Sequence, residues 1–213
     1  MTTTSVPAPT VASGLAALWR HSLAGLRVLL AFTVLLGLAY PLAVTGIAQA
    51  VFPWQANGSL LDAAGERTTT PADAAGSARL AQAFTGPEWF HPRPSAAGDG
   101  YDSLTSGGSN LGPNNPDLVG AITERRAAVA AAEGVDPAAV PADAVTASAS
   151  GLDPDISPAY AALQVERVAA ARGLTSHDVR ELVAEHTVGR TLGVLGEPHV
   201  NVLRLNLALQ GLG

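Results

Sequence analysis

At 213 residues the chain is long enough for one large or two small domains, yet 47% of it is hydrophobic and only 14% charged, against a usual charged share of about 25%. That balance, with a mean hydropathy of +0.24, places part of the chain in lipid. The absence of Cys and Lys excludes disulfide scaffolds, thiolate metal sites, the P-loop lysine, the Ser-x-x-Lys site and Schiff-base chemistry, and a net charge of −6 argues against a nucleic-acid partner held through its phosphates.

In chain order, residues 1–15 (MTTTSVPAPTVASGL) lack periodicity and read as disordered, within an N-terminal tail of residues 1–25. Val28–Ile47 follows, apolar on every side and within a stretch, residues 28–61, that holds no charge. At 1.5 Å per residue it spans roughly 30 Å, the thickness of a bilayer's hydrocarbon core. A transmembrane helix over residues 26–50 is expected, with Pro41 tolerated as a kink. Arg20, His21 and Arg27 precede it and the next basic residue is Arg67, so the N-terminus is expected in the cytoplasm and residues 51–213 outside. The alternative is a secretory signal with Ala48-Gln49-Ala50 as its cleavage site. The long apolar run and the tail before it speak against cleavage.

Beyond the helix, residues 52–75 and 85–115 are rich in Gly, Pro, Asn and Ser, more than a minimal connection needs. Between them Ser77–Phe84 is a short helix candidate. Asn115 and Pro116 supply an N-cap and a first helical residue for Asp117–Glu133, which Gly134 stops. Ser157 and Pro158 repeat that start for a helix ending at Arg172-Gly173. Thr175 with Asp178 opens a third helix, with Val179, Leu182 and Val183 on one face. His199–Leu203 reads as a short strand and Arg204–Leu212 as a short helix. The fold expected is one N-terminal transmembrane helix plus an extracytoplasmic, helix-rich α/β (α+β) domain, residues 51–213, with long Gly/Pro/Asn-rich loops.

Serine hydrolysis is the sharpest enzyme chemistry available to this domain, since Ser109, Ser148, Ser150, Asp153 and four of the chain's five His occur in it, in stretches that include Gly-rich ones. No Gly-x-Ser-x-Gly elbow is present, and Ser in such stretches more often bonds local backbone. Asp153-Pro154-Asp155 begins like a calcium loop but has Pro158 where Gly is required. His177 and His186 lack metal-ligand spacing. A membrane-anchored external hydrolase, with Ser150 and Asp153 in its site, is the alternative function.

Three blocks are more particular than generic loops: FPWQANGSL at 52–60, FHPRPSA at 90–96 and TASASGLDPDISP at 146–158. Phe52 and Trp54 fit an aromatic belt at a membrane surface, which leaves Asn57 unexplained. Arg93, between two prolines, is a rigidly presented guanidinium for a carboxylate or backbone carbonyls, of a partner or of its own domain. Together with Tyr40-Pro41-Leu42, SGGSNL at 106–111, QVERVA at 164–169, GEPHVNVL at 196–203 and Leu205-Asn206, these blocks resemble, over residues 28–210, the KdpC subunit family of the Kdp potassium-transporting ATPase.

The resemblance implies an accessory subunit of a four-part inner-membrane pump, inactive alone, beside a channel-like potassium-translocating subunit, a P-type ATPase subunit and a small membrane subunit. It also implies a catalytic chaperone that raises the hydrolysing subunit's affinity for ATP. No cofactor is expected to be firmly bound, and ATP is met through the partner. Gln82 corresponds to the family's proposed nucleotide contact. In the orientation above, Gln82 lies outside and ATP inside, so coupling through the transmembrane helix is expected instead. Partner contacts are expected at Phe52, Trp54, Asn57, Arg93, Asn110, Ser150 and Asp153, with no catalytic or metal residue.

Overall fold

The computed structural model describes residues 11–212 and divides the chain into two units, one ending at Ala56 and the other beginning at Asn57. The first is helical: α1 (Val11–Val34), a π-helical turn (Leu35–Ala39), α2 (Tyr40–Val51) and the short α3 (Pro53–Ala56). Pro41 explains the π turn. A proline lacks a donor and its ring crowds the carbonyl one turn back, and the wider turn just before it relieves that crowding. The Tyr40 N–H accordingly donates to the Leu35 carbonyl, five residues back.

Gly14–Val51 is long and apolar enough to cross a membrane. Its 38 residues extend for about 57 Å, beyond the roughly 30 Å of a hydrocarbon core, and the surplus lies at the end carrying Arg20, His21 and Arg27. Leu29, Phe32, Leu36 and Leu38 are all more than half exposed, so no protein core covers this surface. The helix starts earlier than its composition suggested: Val11–Gly25, expected within the tail, is helical. Leu15-Ala16-Ala17-Leu18 are strong helix formers, and no proline interrupts them before Pro41. Residues 1–10, the rest of the expected tail, lie outside the described residues.

The second unit carries two small antiparallel sheets. One has the order β2-β1-β3, from Leu60–Asp62 (β1), Arg67–Thr68 (β2) and Ala74–Ser77 (β3); the other has the order β4-β6-β5, from Asp155–Ile156 (β4), Thr187–Val188 (β5) and His199–Asn201 (β6). The helices are α4 (Pro116–Glu133), α5 (Ala142–Val145), α6 (Pro158–Arg172), α7 (Ser176–Glu185) and α8 (Val202–Gln210). α6 is central and buries Tyr160, Ala161, Val165, Val168 and Ala169 against Val179 and Val183 of α7, Leu205 and Leu209 of α8, Phe90 and Val200. Each large apolar side chain covered in this way contributes about 1.5–3 kcal/mol.

Local chemistry sets the helix ends. The side chains of Asn115, Ser157 and Thr175 accept from the N–H groups of Asp117, Tyr160 and Asp178, while Gly134 and Gly173 close α4 and α6 at φ of 66° and 68°, the left-handed cap glycine tolerates best. Two expected elements differ. Ser77–Phe84 is not a helix: Ser77 ends β3, paired with Leu60, and the residues after it are irregular. The Ser77 hydroxyl donates to the Gly58 carbonyl (2.7 Å) and accepts from the Arg79 N–H, and the Ala81 N–H donates to the Leu152 carbonyl. Distant partners thus take the backbone groups a helix would have paired. The strand at His199 stops at Asn201, because its side chain caps α8 by accepting from the Arg204 N–H.

Candidate functional site: an interlocked loop cluster

The FHPRPSA, SGGSN and TASASGLDP blocks form one structure. The Ser148 N–H donates to the Pro94 carbonyl and the Gly107 N–H to the Ser150 carbonyl. The hydroxyl of Ser95 donates to the Gly151 carbonyl (2.7 Å) and that of Ser106 to the Ser150 carbonyl (2.9 Å). Gly151, at φ 69°, has no room for a side chain, since a Cβ there would lie 2.6 Å from that of Ala97 and 2.8 Å from the Gly107 carbonyl oxygen. Glycine allows both the backbone conformation and the close approach.

Arg93 and Asp153, both expected to meet a partner, meet each other at 2.8 Å and are half-buried. The guanidinium also donates to the Thr146 carbonyl, and the Tyr101 hydroxyl donates to the Arg93 carbonyl at 2.8 Å. Burial raises the pKa of that phenol above its usual value. Ser150 is exposed. Its hydroxyl lies 3.1 Å from that of Ser148 and accepts from the Leu152 N–H, a local turn bond. A cleft of about 340 Å³ beside the pair is lined by Asp143, Asp155 and His199 among others, but its carboxylates already have protein partners. Asp143 accepts twice from Ser157, Asp153 holds Arg93 and Asp155 accepts from Asn201.

The other expected contact residues belong to other segments of the chain. Phe52 is exposed and its N–H caps α2 by donating to Ala48, while Trp54 is half-buried in α3. Asn57 begins the second unit and is exposed. Asn110 is exposed at φ 54°, a left-handed position Asn accepts more readily than most residues. Gln82 folds back over β3: its Nε2 donates to the Ala75 carbonyl, and Gly76 leaves the space its carboxamide fills. The Gln82 Oε1 is buried without a hydrogen bond. That atom is an acceptor, suited to an amine or a hydroxyl and unsuited to a phosphate oxygen.

Local reading missed how the FHPRPSA block is held. The extended backbone at Phe90 and His91 is paired by side chains. Asn206 accepts from the Phe90 N–H and donates to its carbonyl, both at 2.9 Å; Gln164 accepts from the His91 N–H at 2.7 Å and donates to its carbonyl at 3.2 Å. Both carboxamides are fully buried, and each does for one residue what a neighbouring strand would do. Arg167 donates to the Pro87 and Trp89 carbonyls, to Gln164 and to the buried Glu133. Arg172 donates to the Glu88 carbonyl and lies 4.4 Å over the Trp89 ring, a cation–π contact. Burial, only partly offset by a hydrogen bond to the Gly86 carbonyl, lowers the pKa of His91. The available signal was Asn206 itself, a carboxamide between Leu205 and Leu207 on a helix that also buries Val202, Leu203 and Leu209.

The comparisons match the chain from the long helix to the last helix. A family profile described as KdpC: K+-transporting ATPase, c chain, covers residues 22–211. The potassium-transporting ATPase KdpC subunit of Beijerinckia indica subsp. indica is 56% identical over 181 residues, 85% of this chain and 88% of that protein. The Kineococcus radiotolerans protein of the same name is 55% identical over 193 residues, 91% and 94% of the two chains, and that of Mycobacterium tuberculosis 52% over 195 residues, 91% and 99%. The protein therefore belongs to the KdpC family of potassium-transporting ATPase subunits.

Proposed function

We propose that this chain is the accessory subunit of an ATP-driven, high-affinity potassium uptake complex, with its apolar helix crossing the membrane, its N-terminus in the cytoplasm and the domain from residue 51 onward outside. The observation that carries this role is the family match, which takes in the apolar helix and the domain together. Arg20, His21 and Arg27 before the apolar run, with no further basic residue until Arg67, support the orientation. The partners are the channel-like potassium-translocating subunit, the P-type ATPase subunit and the small membrane subunit. The domain clamps the assembly from its external face, where Asn57, Asn110 and Ser150 offer exposed groups while Arg93 and Asp153 hold the loop cluster in shape. Phe52 and Trp54 sit at the membrane–water boundary. ATP stays with the partner on the other side of the membrane, so Gln82 does not touch it. The chaperone effect on ATP affinity passes through the helix and the assembly.

The hydrolase alternative is not favoured. Ser148 and Ser150 bond each other and local backbone, and no histidine is among those partners, whereas nucleophilic serine chemistry needs a base within reach. Orientation is testable because the chain has no Cys. In intact cells a membrane-impermeant thiol reagent is expected to label Ser106→Cys and to spare Ser13→Cys. Labelling of Ser13→Cys alone reverses the topology.

A further inference from the structure

Arg93, Arg167, Arg180 and Arg190 each meet a carboxylate of their own domain. Arg67, Arg79 and Arg204 are drawn toward one another. Arg67 lies on β2, opposite the fully buried Leu61, and cross-strand partners share a face, so its side chain leaves the sheet on the face that Leu61 buries. The turn before it lies against α8, where a Cβ on Gly65 would be 3.8 Å from that of Leu207. Arg79 follows β3, and its N–H donates to the Ser77 hydroxyl. One residue earlier, the Ala78 carbonyl accepts from the Asn201 carboxamide at 3.0 Å, and the same carboxamide accepts from the Arg204 N–H at 3.1 Å. The first sheet and the start of α8 thus gather three guanidinium groups. Arg204 is half-buried; burial lowers its pKa first, the charges of Arg67 and Arg79 lower it further, and Asp155 offsets part of the effect. Such a gathering of like charge is unexpected where residues 52–213 hold ten Arg against 18 acids.

We propose that Arg67, Arg79 and Arg204 form a binding site for a phosphate-bearing anion, and that this anion is the headgroup of an acidic phospholipid in the leaflet beside the domain. Guanidinium groups match phosphate oxygens in charge and in hydrogen-bond geometry. Chain length favours a lipid as the source. β1 starts at Leu60, nine residues after α2 ends at Val51, and that stretch reaches at most about 30 Å, so the sheet carrying Arg67 and Arg79 is tethered near the membrane surface. An acidic domain is repelled by an anionic surface except where a basic patch faces it, and basic groups close to a membrane are drawn to anionic headgroups. The site needs only that the apolar helix spans a bilayer. It holds for either orientation of the chain, and its failure would leave the accessory-subunit role untouched.

Two measurements on the full chain test this. In a neutral detergent, a short-chain phosphatidylglycerol at about tenfold its Kd is expected to raise the melting temperature by about 3 °C or more, and phosphatidylcholine of the same chain length to raise it little. An equal rise with inorganic phosphate would make the site one for a free anion and overturn the lipid assignment. Arg79→Gln is expected to remove most of the rise while leaving the starting melting temperature level or higher, because one of three repelling charges is gone. Arg126→Gln, on α4, should keep the rise. Survival of half the rise or more in Arg79→Gln overturns the site, and so does a lowered starting temperature, which would make Arg79 part of the fold. A fluorophore on Thr69→Cys, two residues from Arg67 in a chain with no Cys of its own, locates the contact. In nanodiscs containing a lipid with a nitroxide headgroup, it is expected to be quenched when phosphatidylglycerol is present and released by Arg79→Gln or high salt. Equal quenching in phosphatidylcholine discs, or none in either, overturns the proposal.

Discussion

Gly86–Ala97 and Thr187–Pro198 are both Gly- and Pro-containing stretches of one domain with little regular structure beyond β5, and they treat their side chains in opposite ways. In the first, Phe90 and Ala97 are buried and the backbone is paired by Asn206, Gln164 and Arg167. In the second, Leu192, Val194 and Leu195 point into solvent, and one of them sits at a strained φ. A loop whose polar backbone is satisfied from within serves the fold. A loop that exposes leucine at a strained φ gains no such pairing for that side chain among the described residues.

The contrast can be broken by mutation. Arg167→Ala has the largest expected effect, because it strands Glu133, whose side chain is 4% exposed, together with the Pro87 and Trp89 carbonyls. Removing one member of a buried pair costs about 3–5 kcal/mol, a fall of roughly 10 °C or more in the melting temperature of a chain this size. Adding Glu133→Gln should recover part of it. Asn206→Ala comes next: with both Phe90 backbone groups left unpaired, about 2–3 kcal/mol should be lost in the same melt. An unchanged melting temperature in either variant would mean that the Gly86–Ala97 stretch is not pinned as described.

A pH series sharpens the same comparison. Burial holds His91 below its ordinary pKa of 6.5, so the folded state binds fewer protons than the unfolded chain as the pH drops beneath that value. Its contribution to stability is therefore full above 6.5, shrinks as the pH falls and is gone below the folded pKa. His91→Gln should flatten this part of the stability–pH curve, and an unaltered slope would contradict the assignment. The smallest effect belongs to Gly76→Ala. The atoms nearest the new Cβ are all at the movable end of Gln82, the first 1.9 Å away, so under about 1 kcal/mol is expected. The variant displaces the Gln82 carboxamide without altering that residue, and on the account above the pump's affinity for ATP should not change.

How much of this was legible in the sequence depends on the distance over which each residue acts. Asn115-Pro116, Ser157-Pro158 and Thr175 announced their helices because a cap bonds an N–H two or three residues away. Ser77–Phe84 misled because Ser77 answers to Gly58, 19 residues back. Arg93 was legible as a guanidinium held ready for a carboxylate, but its partner Asp153 is 60 residues on, and no local pattern names it. The Phe90–Asn206 pairing spans 116 residues and is a tertiary fact. The family blocks pointed to the right segments without saying that three of them interlock.

The most direct test of the central claim is purification of the affinity-tagged full chain in mild detergent from cells grown at low potassium. The accessory-subunit account predicts that the channel-like, ATPase and small membrane subunits come with it and that the preparation hydrolyses ATP in response to potassium. Recovery of the chain by itself, folded and without those partners, would contradict it.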